Sequence, residues 1–208
     1  MQDQIVETPE IVDLDGEGRE AAAYRIPNGQ SCTFFLAAVN NRAQNWKREL
    51  RILLEPHADV EIIGLIVGRG TQQLQQRITI THSDHSKSRM RLFATLENAA
   101  CAEIRGRIII PKSAFGSEAM LEERVLVLSP DARITAVPDL EILEPDVRAS
   151  HSASIGRVND DQLFYLQARG YSKRESRQLI VEGFLEQHIA RFPDASQPRL
   201  REALISTT

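Results

Sequence analysis

The side chains able to do chemistry are few and widely spaced. His82 and His85 form a His-x-x-His pair in His82-Ser83-Asp84-His85-Ser86, which could bring two imidazole nitrogens onto one turn with Asp84 adding an oxygen. A zinc or iron site would still need another protein ligand, and nothing in sequence fixes His57 close. A turn braced by the Ser83, Asp84 and Ser86 side chains is the favoured reading. His151 lies among small polar residues, where an imidazole can ligate iron through one nitrogen while an acceptor orients the other. The plainer alternative is a histidine hydrogen-bonded at an interface. Cys32 and Cys101 are 69 positions apart and neither has a second cysteine nearby, so no metal knuckle or redox pair is expected. Cys101, within Ala99-Ala100-Cys101-Ala102, reads as an inert core residue, and no cation near Cys32 in sequence would activate its thiol. Glu122 and Glu123 are adjacent, so on a strand they face opposite ways and cannot act as an acid and base pair; a solvated coil edge is expected. The chain has no nucleophile elbow, phosphate loop or dinucleotide-binding glycine motif, so it is not expected to bind or hydrolyse ATP.

Those residues need a scaffold, and 208 residues can bury one substantial core. With only 5% aromatic residues against 42% apolar, that core must be built mainly from Val, Ile, Leu and Ala. The same scarcity of aromatics, with no cluster of acids, argues against a carbohydrate-active site. Twenty-five bases against 29 acids give a net charge of −4, and residues 1–20 hold seven acids with the single base Arg19. No basic stripe with interleaved aromatics exists, which excludes phosphate-driven nucleic-acid binding. The run Met1-Gln2-Asp3-Gln4-Ile5 lacks the basic start of a secretory signal and no stretch reaches the length of a membrane span, so a cytoplasmic protein without membrane contact is expected.

Short apolar runs rich in β-branched residues recur from about Thr33 to Ile142: Ile52-Leu53-Leu54, Ile62 to Val67, Ile78-Thr79-Ile80, Ile108-Ile109-Ile110 and Val125 to Leu128. The turns between them share a form, Pro56-His57-Ala58-Asp59-Val60 and Pro130-Asp131-Ala132-Arg133-Ile134, with Ala100-Cys101-Ala102-Glu103-Ile104 in a Pro-less relative. Pro111 and Pro130 stand 19 residues apart, near the ~20-residue period of a solenoid coil. An antiparallel sandwich would favour Asn-Gly or Asp-Gly hairpins, and Asn28-Gly29 is the only such dipeptide near the strands. Beyond Pro145 a polar bridge, Arg148 to Arg157, leads to two helices. Asn159 caps the first, which ends at Gly170; Ser172-Lys173-Arg174-Glu175 is a capping box for the second, expected to run to about Ile189. Ile180, Val181, Phe184, Leu185 and His188 form one stripe on that second helix.

The segment Ser150-His151-Ser152-Ala153-Ser154-Ile155-Gly156 followed by Asp160 to Gly170 resembles the C-terminal signature of the SufB/SufD family. Val137-Pro138-Asp139-Leu140-Glu141-Ile142 and Pro145-Asp146-Val147 are similar to its upstream steps, and His82 to Ser86 and Pro111 to Met120 to earlier coils. The resemblance spans roughly residues 30–189. It implies a mainly β fold, a right-handed parallel β-helix with a C-terminal two-helix appendage, and a scaffold role in iron-sulfur cluster assembly rather than an enzyme. It further implies a SufC-type ABC ATPase docked on the helices and dimerisation with a SufB-like chain or a second copy of itself. A transient iron-sulfur cluster or iron, none firmly bound, is handled in that family, and His151 occupies the position of a proposed SufD ligand. Where SufB-like chains carry a partner cysteine, this chain has Arg124 and Val125, so it is more SufD-like. A structural β-helix relative that dimerises without holding a cluster is the alternative.

The organisation expected is therefore an acidic arm over 1–22, a β-helix core over 23–150, a helical pair over 151–190 and a tail over 191–208. ATPase docking is expected to use Leu163, Tyr165, Leu166, Ile180, Phe184 and Leu185. The dimer contact is placed on the end coils, around Leu126 to Ile142, with His151 at the seam.

Overall fold

The computed structural model describes residues 3–6, 8, 10–13, 19–39 and 44–205. In chain order its strands are β1 (Gln4–Ile5), β2 (Glu10–Asp13), β3 (Arg19–Ile26), β4 (Ser31–Ala38), β5 (Asn45–Leu54) and β6 (Asp59–Gly68). They continue as β7 (Gln73–Thr81), β8 (Lys87–Leu96), β9 (Cys101–Ile110), β10 (Glu118–Val127), β11 (Arg133–Ile142) and β12 (Arg148–Arg157). Helices α1 (Asp160–Ala168), α2 (Lys173–Ile189) and α3 (Gln197–Ile205) follow. Odd-numbered strands form one six-stranded sheet and even-numbered strands a second, with each strand paired in parallel to those two before and two after it. The chain thus winds between two sheets as a parallel β-solenoid. No described helix is long and apolar enough to cross a membrane.

Ser31, Asp59, Lys87, Glu118 and Arg148 lie in register, so successive coils take 28, 28, 31 and 30 residues. The ~20-residue period expected of the coils is corrected accordingly. Pro111 opens the turn after β9 and Pro130 lies in the turn after β10, so the two prolines sit on opposite rows of turns and their spacing measures less than one coil. After odd strands, the turns Pro27–Gln30, Glu55–Ala58, Ser83–Ser86 and Pro111–Ala114 each close with a fourth-residue N–H donating to the first carbonyl, at 2.9 to 3.2 Å. After even strands, Arg69–Gln72, Glu97–Ala100 and Ser129–Ala132 close in the same way. At the fourth position Ala58, Ser86, Ala100, Ala114 and Ala132 are all buried, which explains the recurring alanine: a small side chain fits where the chain turns inward, while Gln30 is exposed and Gln72 half-buried at the same position.

Along the strands, burial alternates as a pleat requires, with inward residues stacked coil upon coil. Tyr24, Ile52, Ile80, Ile108 and Leu140 form one such column. The interior is otherwise dominated by Val, Ile, Leu and Ala, as the composition requires. Each fully buried Ile or Leu contributes about 1.5–3 kcal/mol relative to exposure. The C-terminal halves of β4, β6 and β8 are buried on both faces, because their outer side chains, among them Phe35, Leu65, Val67 and Phe93, meet Leu185, Ile189, Phe192 and Leu200. Both helix caps form as the sequence predicts. Asn159 Oδ1 accepts from the Asp161 N–H at 2.7 Å, and Ser172 and Glu175 exchange hydrogen bonds at 3.2 and 2.8 Å.

Three expectations change. Strands β1, β2 and the start of β3 occupy residues assigned to an acidic arm, although residues 14–18 lie outside the described residues. The supposed polar bridge is strand β12, and helix α3 lies in the supposed tail, of which residues 206–208 lie outside the described residues. Cys101 is half-buried on the outward row with Glu103 and Arg105, so it is not a core residue; Ala100 and Ala102 are. Cys32 is the buried thiol, pushed up to about 11 by burial and by the charge of Glu10.

Adjacency on β10 sends Glu122 outward and Glu123 inward. Glu122 pairs with Arg91 at 3.7 Å, whereas Glu123 is 1% exposed and is not on a solvated edge. Glu123 Oε1 accepts from the Gly106 N–H at 2.9 Å, while its buried Oε2 has no hydrogen-bond partner. Burial pushes this carboxyl up to about 7, further than the single hydrogen bond pulls it down. A carboxyl raised in the folded state contributes fully below its unfolded value and loses that contribution as pH rises through about 7. Glu123→Gln is therefore expected to raise unfolding free energy at pH 8.5 by roughly 2–3 kcal/mol and to change it little at pH 4.5, read from urea unfolding at both values. Equal effects at the two pH values would show that Glu123 does not hold a proton in the fold.

Candidate functional site at the uncapped end of the solenoid

The last coil is made by β11 and β12, each paired on one edge only. Register fixes which of their side chains face inward. Ala136 and Leu140 of β11 continue the buried columns of Ile104 and Ile108. On β12, Ala149, His151, Ala153 and Ile155 align with Ala119, Leu121, Glu123 and Val125, all of them buried. The same columns are closed over in every earlier coil, but no described strand pairs beyond β11 and β12. His151 and Ile155 are exposed, as are Ile142 and Leu143 where β11 ends.

His151 is therefore an inward-type residue on an open end. It stands one coil above Leu121, which is fully buried. Among the described residues no hydrogen bond, ion pair or ring contact engages its imidazole, so both nitrogens are available. Small residues surround it on the strand: Ala149, Ser150, Ser152 and Ala153. The buried Glu123 carboxyl lies one coil below, in register with Ala153 and two positions along from Leu121. Sequence reasoning missed Glu123 because alternation shows that one of two adjacent acids must turn inward without showing which. Of the segment expected at a dimer contact, Leu126 is 9% exposed on the interior strand β10, whereas Arg133 to Ile142 form β11, which like β12 has a free edge.

The upstream histidines divide differently from their spacing. His82 is buried, its Nδ1 2.8 Å from Ser86 Oγ and its Nε2 2.8 Å from Ser88 Oγ, and burial drops its pKa to about 4. It is a neutral interior brace. Ser86 Oγ also donates to the Ser83 carbonyl at 2.7 Å, which is the side-chain-stabilised turn that was favoured. His85 points out and stacks on His57 instead, with ring centroids 5.3 Å apart and planes 6° from parallel. Both sit in the left-handed region, φ +50° and +59°, on the rung that Gly29 and Gly116 occupy in flanking coils. Among the described residues no group of three or more His, Cys, Asp or Glu is placed to hold a metal ion.

The helical residues separate into two groups. Leu185 is fully buried against the solenoid and Phe184 packs beside it, so this part of the stripe is committed to the fold. Leu163 is 8% exposed, and Leu166 and Ile180 are half-buried. Tyr165 is 56% exposed and carries the Arg169 guanidinium over its ring at 4.6 Å. Around it Phe164, Tyr171 and Leu179 are exposed as well.

Comparison with known proteins agrees with this architecture. Residues 21–184 match the family described as SUF system FeS cluster assembly, SufBD core domain. An iron-sulfur cluster assembly SufBD family protein of Synechocystis is 28% identical over 197 residues, covering 93% of this chain and 43% of the relative. The iron-sulfur cluster assembly protein SufD of Bacillus subtilis is 37% identical over 130 residues, covering 62% of this chain and 30% of the relative. The chain thus spans less than half the length of these relatives. With its parallel solenoid, its matched core and the open last coil that carries His151, the chain belongs to the SufBD core-domain family of iron-sulfur cluster assembly proteins.

Proposed function

We propose that this chain is a non-catalytic subunit of cluster assembly that receives iron or a nascent iron-sulfur cluster at its open end, with His151 as ligand. The observation that carries this reading is the position of His151, an unengaged imidazole at the mouth of an uncapped stack. The open strands β11 and β12 call for a partner edge, and the exposed Ile142, Leu143 and Ile155 give that contact an apolar seam. A SufB-like chain, or a second copy of this one, supplies the remaining ligands across the seam. One imidazole does not hold a cluster alone, and among the described residues no group of three or more His, Cys, Asp or Glu is placed to help it.

A SufC-type ABC ATPase is the second partner in this reading. Its docking face is the exposed patch of Phe164, Tyr165, Tyr171 and Leu179, because Leu185 is spent on the solenoid. A Phe164→Ser, Tyr165→Ser double variant is expected to lose ATPase capture by about tenfold or more in a pull-down, with the thermal unfolding of the chain unchanged. Undiminished capture would move the docking face elsewhere.

For the cluster site, the chain is co-expressed with a SufB-like partner and purified without oxygen, and iron and sulfide are measured per complex. His151→Ala is expected to lower both by about tenfold while leaving the complex assembled. If the complex forms and the metal content does not change, His151 is an interface residue and the cluster-free structural relative is the correct reading.

A further inference from the structure

Helix α2 packs closely on the solenoid at one end, and at the other it reaches the solenoid through the Arg177 side chain. Its C-terminal half is seated, with Leu185, His188 and Ile189 buried and the His188 ring stacked on Phe93 at 3.3 Å between centroids. Its N-terminal half instead spans a cavity of about 580 Å³ against the turns that follow the even strands. The floor continues the apolar outer face that α2 covers further along, with Val67 and Leu128 on the solenoid side and Val181 on the helix. The volume falls within the roughly 300–1,000 Å³ typical of small-molecule sites.

Charge says what could complete it. Arg69 and Glu97 approach to 3.8 Å on one wall, and Arg177 reaches across from α2 to donate to the Leu128 carbonyl. Burial raises the Glu97 carboxyl despite these two guanidinium groups, a sign of how dry the wall is. Glu182 is held by Gln178 at 2.8 Å. Lys173 and Arg174, on the first turn of α2, complete the lining, and no hydrogen bond or ion pair within the described residues engages either. The neighbouring Glu175 carboxylate is committed to the Ser172 N–H of the capping box. Four cations face two acids across the cavity, and the two unengaged ones stand at the same helix end.

We infer that this cavity binds a small amphipathic anion, an alkyl or aryl group bearing a single carboxylate, with its apolar part on Val67, Leu128 and Val181 and its charge at Lys173 and Arg174. Such a ligand fills the unseated half of the helix–solenoid interface. An apolar molecule alone makes no use of the exposed cations at the mouth, and a compact anion alone leaves the apolar floor wet.

The full chain is titrated by calorimetry with decanoate, decanol and inorganic phosphate as separate probes. Decanoate is expected to saturate one site per chain in the micromolar range, with decanol about tenfold weaker and phosphate without saturable binding. Decanoate should also shift the Val67 and Val181 methyl resonances of the unmutated chain. Replacing Lys173 and Arg174 by Ala should weaken decanoate about tenfold and leave decanol unchanged, while Val181→Trp should abolish both by filling the floor. The inference fails if decanoate does not saturate below millimolar concentration, if decanol binds as well as decanoate, or if phosphate alone does. Saturating decanoate that leaves both methyl resonances unmoved would also overturn it, and that result needs no variant to fold.

Discussion

A parallel strand cannot complete its own hydrogen bonding; it needs a neighbour one coil earlier and another one coil later. In this chain every other feature answers to that constraint. Two strands per coil, in strict register, give each inward residue a place in a column, and each column closes only when the next coil arrives. The last coil has no successor, so residues that would be core anywhere else, such as those at the His151 and Ile155 positions, meet solvent. An open end of this kind is a liability for an isolated chain and an attachment point for one that works in a complex.

The turns obey the same register and leave it little freedom. The left-handed residues Gly29, His57, His85 and Gly116 form a ladder in which each N–H donates to the carbonyl of a residue on the next coil, at 2.7 to 3.0 Å. Glycine fits this backbone without strain, and histidine is among the side chains that tolerate it. Gly116 has a second reason to lack a side chain: a Cβ there would stand 2.4 Å from His85 Nδ1. The exposed stack of His57 on His85 therefore follows from the coil spacing and does not require a ligand to explain it.

How much of this could be read from the sequence depends on whether the signal is local. Strand runs, the inward alanine that recurs in the turns and both helix caps are local, and they were legible. The coil length was not, because two rows of turns share one sequence pattern and a spacing taken across rows, Pro111 to Pro130, measures neither. Strand β12 escaped because the alternation in Arg148 to Arg157 rests on two alanines and a single large apolar residue, Ile155; it is a strand because β10 offers it an edge, a tertiary effect. The stripe on α2 was read correctly as apolar, yet its Leu185 serves the solenoid and not a partner. A helix cannot show in sequence that a sheet has an apolar outer face waiting for it, and here β4, β6 and β8 supply one. The expectation that His151 lies at a seam came from family resemblance; register adds that it lies on the inward row.

The placement of the helices bears on how an ATPase could act on the open end in the proposed complex. α2 is seated across β4, β6 and β8, not over β12, so a partner bound to the helices leaves the last coil free to pair. Force applied at α1 enters the solenoid through the Leu185, Ile189 and Phe192 contact and through the link from β12 into α1, which is the two-residue step Val158-Asn159. That second route is short and ends on the strand carrying His151. In the proposed complex, a second chain paired on β12 would cover the His151 position as β12 now covers Leu121. In that reading, closing the seam and covering the His151 position would be one event, and a movement of α1 that peels β12 from its partner would undo both together.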